Sequence, residues 1–378
     1  MYDVIVMGAG AIGSATAYAA ARSGARVLLL EQFEIDHGRG SSHGASRLIR
    51  YAYDHPVYVA MARDAFPAWL ALEAEAGEQF YVRTGGIDFA SPAEPLFTAM
   101  RRTLLATGIP HEVISAQEAA HRFPQFRLDD SFEVLYQADA GVLRASKAVR
   151  AFVRLAQAHG ADVRDRTPVT SLTIHRDSVT VLAGGQTFNG ASLVLAAGAW
   201  LNTWTSPLGV TLPLEPVAAQ ENYFAASSPA DFAPDRFPIW IGHLQNDYGK
   251  VLYGAPDIDG SGVKIGLHGG PPIDPESADR TPDRQVIADM TRFAQATLPG
   301  AATHRSSRVC IYTNTPGEHF VIDTHPEHAH VVIASCCSGH AFKFSPVLGQ
   351  TVAHLALTGQ ALRDLSLFTL KRFAAETQ

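Results

Sequence analysis

An α/β fold with two domains is predicted from three observations. The chain opens on an apolar strand, Tyr2-Asp3-Val4-Ile5-Val6-Met7, followed at once by Gly8, Gly10 and Gly13 and an Ala-rich helix; the next strand, Val27 to Leu30, ends in Glu31. Far downstream, Leu193-Val194-Leu195-Ala196-Ala197-Gly198 is a continuous apolar run ending in small residues, the pattern of a buried parallel strand beside a cofactor. At 378 residues the chain exceeds the size of a single core. A Rossmann-like nucleotide-binding domain carrying an inserted mixed-sheet domain satisfies all three.

The glycines have separable tasks. Gly8 permits a tight turn, Gly10 lets the backbone approach a pyrophosphate, and Gly13 lets the helix lie close to the strand. The helix N-terminus then faces the phosphates, and Glu31, eighteen residues past Gly13, can accept from a ribose hydroxyl. Strand, glycine turn, helix, strand and acid together predict a dinucleotide site rather than a bare βα turn. They do not say which dinucleotide.

After Glu31 a polar, Gly-rich loop runs from Asp36 to Ser46, ahead of Arg47-Leu48-Ile49-Arg50. Arg47 and Arg50 share a face if this stretch turns helically. Residues 57–74 read as helix, with Pro67 expected to kink or break it. A strand near 85–89 and a helix at 95–107 begin the inserted domain. The first domain resumes at about residue 146 with a helix (147–159), then a hairpin at 172–175 and 178–182 by its alternation. Residues 211–308 mix short strands, Pro/Gly turns and one helix (282–298). Val331-Val332-Ile333-Ala334 is another buried strand, leading to a helix from Pro346 to about 358, with Ser345 as its N-cap and Gly359 ending it. The expected division is 1–80, 146–212 and 312–378 for the nucleotide domain, and 81–145 and 213–311 for the substrate domain.

Composition excludes several classes. Net charge is −7, with 47% hydrophobic and 18% charged residues, which argues against nucleic-acid or anionic-membrane partners. No apolar run approaches the roughly 20 residues that span a bilayer. The fingerprint at residue 8 leaves no room for a cleavable signal, and Glu376-Thr377-Gln378 is not a peroxisomal address, so a cytoplasmic protein is expected. Three cysteines, Cys310, Cys336 and Cys337, do not make a disulfide framework, and no Cys/His spacing matches a metal site.

The motifs Gly8-Ala9-Gly10-Ala11-Ile12-Gly13, Gly40-Ser41-Ser42-His43-Gly44-Ala45-Ser46-Arg47-Leu48-Ile49-Arg50, Lys264-Ile265-Gly266-Leu267-His268, Val309-Cys310-Ile311-Tyr312 and Ser338-Gly339-His340-Ala341-Phe342-Lys343 occur in that order. With them the chain resembles the monomeric sarcosine oxidase and N-methyltryptophan oxidase family, which includes pipecolate oxidase, over nearly its whole length. The resemblance implies FAD, held covalently by a thioether from Cys310 to the flavin 8α-methyl carbon. An isolated cysteine is ordinarily a small buried hydrophobe, and Cys336 and Cys337 are read that way; attachment needs a thiolate, which a nearby cation favours. Arg47 matches an arginine stacked over the flavin. Arg50 and Lys343 match the cations that bind the substrate carboxylate, a task suited to the planar guanidinium fork. Gly339 matches a glycine whose carbonyl accepts from the substrate amine. Lys264, flanked by Val263 and Ile265, matches the lysine where oxygen is reduced. Tyr253, His268 and Tyr312 match residues of the substrate pocket, Ser42, His43, Ala341 and Phe342 lie in motifs that contact the flavin, and Val169 and Gly198 match contacts to the adenosine half.

Two departures stand out. Cys336-Cys337-Ser338-Gly339-His340-Ala341-Phe342 replaces the family's usual Gly-Phe-Ser-Gly-His-Gly-Phe, and Ala341 is strained there unless its φ is negative. The Gly40-Ser41-Ser42-His43 loop is nearer to pipecolate oxidase than to the double-histidine form of sarcosine oxidase. The implied enzyme is a monomeric FAD oxidase that takes a secondary amino acid such as sarcosine, with N-methyl-L-tryptophan or L-pipecolate as alternatives. It passes electrons to oxygen and yields hydrogen peroxide. Three rivals remain: a nicotinamide dehydrogenase with the same fingerprint, a flavin dehydrogenase that does not use oxygen, and a non-catalytic nucleotide sensor.

Overall fold

A computed structural model describes residues 1–244 and 251–373; Glu376-Thr377-Gln378 lies outside them. The first of two eight-stranded sheets is built around Tyr2–Met7, which is parallel to Val27–Leu30 on one side and to Gln186–Leu195 on the other. Asp162–Arg164 extends it beyond Val27–Leu30. The long strand Gln186–Leu195 pairs antiparallel with Val179–Ala183 near its start and parallel with Val331–Ser335 near its end. The predicted hairpin is Val169–Ile174 with Val179–Ala183.

Alternation along these strands separates two cores. Val4, Val6 and Leu29 pack with the helices Ala11–Arg22, Ala145–Ala158 and Ser345–Thr358, whereas Ile5, Met7, Leu28 and Leu30 face Val179, Val181 and Leu212. A strand apolar on both faces is buried on both faces, which is why these segments read as unbroken apolar runs.

The second sheet runs Thr303–Asn314, Glu215–Ala225, Val263–Leu267, Leu252–Ala255, Ile239–His243, Gly86–Ala90, Glu133–Gln137 and Glu112–Ser115. All its neighbours are antiparallel except Ile239–His243 with Gly86–Ala90. Phe89, Phe126, Phe237 and Trp240 form the centre of its core. A small sheet of Arg47–Ile49, Gly141–Leu143 and Tyr81–Arg83 completes the architecture. Among the described residues no helix is long and apolar enough to cross a membrane.

Three local expectations fail. The helix Pro56–Ala76 runs unbroken through Pro67, because Ala62, Ala65, Phe66 and Trp69 are buried there and tertiary packing outweighs one lost backbone hydrogen bond. Arg47 stands on a strand, not a helix, and Arg50 lies just past its end. Ser345 is the first residue of the final helix rather than its N-cap, its hydroxyl donating to the Phe342 carbonyl at 2.8 Å. The end of that helix is as expected, with Gly359 left-handed at φ 73°.

Candidate active site

The glycine turn is a cradle that side chains would fill. Gly8 has φ +100°, and a β-carbon there would lie 2.5 Å from the Ala196 carbonyl oxygen; one on Gly13 would lie 1.8 Å from that of Gly8. Ser42 Oγ accepts from the Ala11 amide at 2.9 Å, tying the Gly-rich loop to the helix N-terminus. Glu31 is fixed by the backbone, Oε2 accepting from Ala9 N at 2.8 Å and Oε1 from Phe33 N at 2.9 Å. Each oxygen keeps a lone pair for a further donor.

Gly8, Gly10, Glu31, Ser42, His43, Val169 and Gly198 all line one cavity of about 140 Å³, with Cys336 and Cys337 at its wall. The Nε2 atom of His43 is buried there without a partner, and burial, aided by Arg47, lowers its imidazole to about 4. This donor set fits a dinucleotide: backbone amides at a helix N-terminus, a fixed carboxylate and a neutral imidazole with hydrogen-bonding capacity unused.

A second cavity of about 300 Å³ gathers Arg47, Arg50, Tyr253, Lys264, His268, Tyr312, Gly339, Phe342 and Lys343. These residues come from four separate stretches of sequence. Arg47 is pinned by three carbonyls, Ser46 at 2.7 Å and Ser41 and His43 at 2.8 Å each. Among the described residues no carboxylate lies within hydrogen-bond range of Arg50; Asp88 stands 3.9 Å away, itself bonded to His243 at 3.0 Å. Lys343 is buried, donating to the Tyr53 hydroxyl at 2.7 Å and the His340 carbonyl at 2.6 Å. Burial, and then Arg50, push its ammonium well below the ordinary lysine range. Gly339 is left-handed at φ +71°, and a β-carbon would meet His268 Cε1 and Tyr312 Cε2, each at 2.6 Å, so only glycine brings the backbone this close to them. Ala341 has φ −77° and is unstrained.

Lys264 is 1% exposed and bonded to Glu221 Oε1 at 2.5 Å and the Ser46 carbonyl at 3.1 Å. The Tyr253 and Tyr312 hydroxyls bond each other at 3.2 Å, and burial raises both phenols. Cys310 lines neither cavity. It is buried in the strand Thr303–Asn314, on the face it shares with Tyr312, opposite Ala219. Burial and Glu221 push its thiol up to about 11, against the pull of Arg47, Lys264 and Arg308.

Sequence reasoning missed Glu221, Tyr53, Asp88, His243 and Glu318. Glu221 and Asp88 meet their partners only through strand pairing and chain packing, which a linear sequence does not display. Tyr53 had a usable signal, three residues beyond Arg50 in the same short segment.

A glycine cradle on the parallel centre of a mixed sheet, beside a chamber of buried cations, defines a nucleotide-dependent oxidoreductase. Residues 3–355 match the DAO family of FAD dependent oxidoreductases, and the chain belongs to that family. FAD is therefore the dinucleotide, and the nicotinamide alternative falls. Monomeric sarcosine oxidase of Bacillus sp. (strain NS-129) is 35% identical, covering 100% of this chain and 98% of that protein. N-methyl-L-tryptophan oxidase of Salmonella arizonae is 33% identical, covering 99% of both. Among solved structures the open form of NikD, described as an unusual amino acid oxidase essential for nikkomycin biosynthesis, superposes with a TM-score of 0.87 at 26% identity over 97% of each chain.

Proposed function

We propose that this protein is a cytoplasmic, monomeric FAD oxidase of secondary amino acids, with an N-methyl amino acid such as sarcosine as substrate and oxygen as acceptor. The observation that carries this reading is the pair Arg50 and Lys343, two cations facing one chamber with no carboxylate hydrogen-bonded to either among the described residues. A substrate carboxylate answers both.

Arg50 and Lys343 would hold the carboxylate, and the Gly339 carbonyl would accept from the neutral amine, holding it without a permanent counter-charge. His268 and Tyr312 pack against Gly339 and confine the reacting carbon. Fixing both ends of so small a molecule is proximity catalysis. Bound FAD supplies the two-electron acceptor. Overall, the amine gives two electrons and two protons to oxygen, forming hydrogen peroxide. Water then hydrolyses the C=N bond, releasing formaldehyde and the primary amino acid from an N-methyl substrate. Lys264, with Arg47, would supply the positive charge that oxygen needs as it is reduced. Gly8, Gly10, Gly13, Glu31, Ser42, His43, Val169 and Gly198 would hold the nucleotide, and Ala341 and Phe342 would lie at the flavin edge. Cys310 would carry the covalent bond, with Arg47, Lys264 and Arg308 partly offsetting the rise that burial and Glu221 impose on its thiol. The segments 1–80, 146–212 and 312–378 would form the FAD domain, and 81–145 with 213–311 the substrate domain.

A peroxide-coupled screen of sarcosine, N-methyl-L-tryptophan and L-pipecolate tests this function. One peroxide per amine oxidised is expected; flavin reduction without peroxide in air would instead make the protein a dehydrogenase.

A further inference from the structure

Strand register puts Glu221 at the centre of a cationic patch. In Glu215–Ala225, Glu221 stands opposite Arg308 on one neighbouring strand, while Tyr223 stands opposite Lys264 on the other. Alternation keeps Glu221 and Tyr223 on one face. Glu221 Oε1 meets Lys264 Nζ at 2.5 Å and Arg47 Nη1 at 3.4 Å, and Oε2 meets Tyr223 OH at 2.8 Å and Arg308 Nε at 3.4 Å. Three hydrogen bonds and one ion pair, that with Arg308, commit the carboxylate to protein partners. Burial opposes its ionisation, but Lys264 and Arg47 outweigh that and bring it down to about 2.

We propose that Glu221 is a positioning residue for oxygen reduction, holding Lys264 in place and protonated in a site too dry for a lone ammonium. The inference rests on the oxygen-handling part given to Lys264 above. The groups that face Lys264 are Ser46 and Arg47 where the small sheet begins, Tyr223 opposite it in register, Tyr253 with its ring centre 5.5 Å away, Cys310 from Thr303–Asn314, and Glu221 itself. Tyr223, Tyr253 and Cys310 are held neutral by burial, and Arg47 repels. Glu221 is the single anion of this set among the described residues. Reduction of oxygen to peroxide takes two electrons from reduced flavin and two protons, and the first electron creates negative charge before any proton arrives. A protonated Lys264 stabilises that charge, and a neutral one does not.

The chain has only five lysines, so biosynthetic labelling with ε-¹³C lysine resolves the titration of Lys264 in the flavin-loaded protein, with Lys264→Met identifying its resonance. In Glu221→Gln its midpoint should fall by about one pH unit or more. The alkaline limb of flavin reoxidation by oxygen, followed in stopped flow, should fall by the same interval. Glu221→Asp keeps the charge one methylene further back, so both readouts should move less. It also carries the test if the glutamine variant does not fold. An unmoved Lys264 midpoint in a folded variant overturns the proposal through Glu221. A midpoint that moves while the reoxidation profile stays put overturns it through Lys264, showing that this lysine is not the group oxygen meets.

Discussion

The Lys343 ammonium donates to the Tyr53 hydroxyl at 2.7 Å while the Arg50 guanidinium lies 4.9 Å over the same ring. One tyrosine thus spaces the two cations and spreads part of their repulsion over a π face. Tyr53→Phe keeps the ring and deletes one of the two acceptors of Lys343. The expected result is a rise in KM of about five-fold, near 1 kcal/mol, with kcat little changed. An equal loss in kcat would mean that the hydroxyl acts in the chemical step.

Removing either cation itself should cost more. With Arg50→Ala or Lys343→Met the remaining cation faces a desolvated carboxylate alone, so kcat/KM should drop by about 2–4 kcal/mol. Methyl esters and amides of the substrate should be poor for the same reason. Full activity of Arg50→Ala, or equal turnover of an ester, contradicts the assignment.

Gly13→Ala tests the nucleotide turn. The added methyl would be driven into the Gly8 carbonyl, 1.8 Å away, and backbone cannot yield as a flexible side chain can. A loss of about 1–3 kcal/mol in stability, read from urea unfolding, should accompany weakened FAD retention. Gly24→Ala is a useful contrast, since nothing lies within 4 Å of its β-position, although its own φ of +90° makes some strain unavoidable.

His43 predicts a pH dependence. Its imidazole falls from 6.5 to about 4 on folding, so the folded state favours the neutral form. That contribution to stability is complete above about pH 6.5 and is lost progressively as pH falls towards 4. Between pH 7 and pH 5 the melting temperature of the wild type should therefore fall further than that of His43→Gln. Parallel melting curves would show that this side chain carries no such linkage.

How much of this was legible depended on how local each constraint is. The glycine turn, the Glu31 end and the hairpin are written in adjacent residues, and they stand where the sequence puts them. Lys264 was readable as buried from Val263 and Ile265. The Lys264–Glu221 and Arg50–Asp88 relationships are not local: each joins residues that only β pairing or chain packing brings together, so no spacing encodes them. Pro67 shows the converse failure, a sound local rule overruled by the buried side chains around it.

Covalent attachment through Cys310 is checked by acid precipitation. The wild-type pellet should stay yellow, and that of Cys310→Ala should release its flavin. Burial raises the thiol to about 11, so only a small thiolate fraction exists near neutrality, and incorporation into apoprotein should accelerate as pH rises towards that value. Free flavin in the wild-type supernatant excludes the linkage.

Lys264→Met separates the two halves of the reaction. It keeps most of the side-chain length while deleting the charge that Glu221 and the Ser46 carbonyl hold in place. If one cation supplies about 3–5 kcal/mol to the first electron transfer, reoxidation by oxygen should slow by about a hundred- to several thousand-fold. Anaerobic reduction by substrate should change far less, because the carboxylate anchors Arg50 and Lys343 are untouched. The substitution also leaves Glu221 with Arg47 and Arg308 as counter-ions, so the carboxylate stays compensated and the fold should survive. Stopped-flow measurement of both half-reactions decides the matter: wild-type reoxidation with collapsed reduction would move Lys264 from the oxygen side to the substrate side.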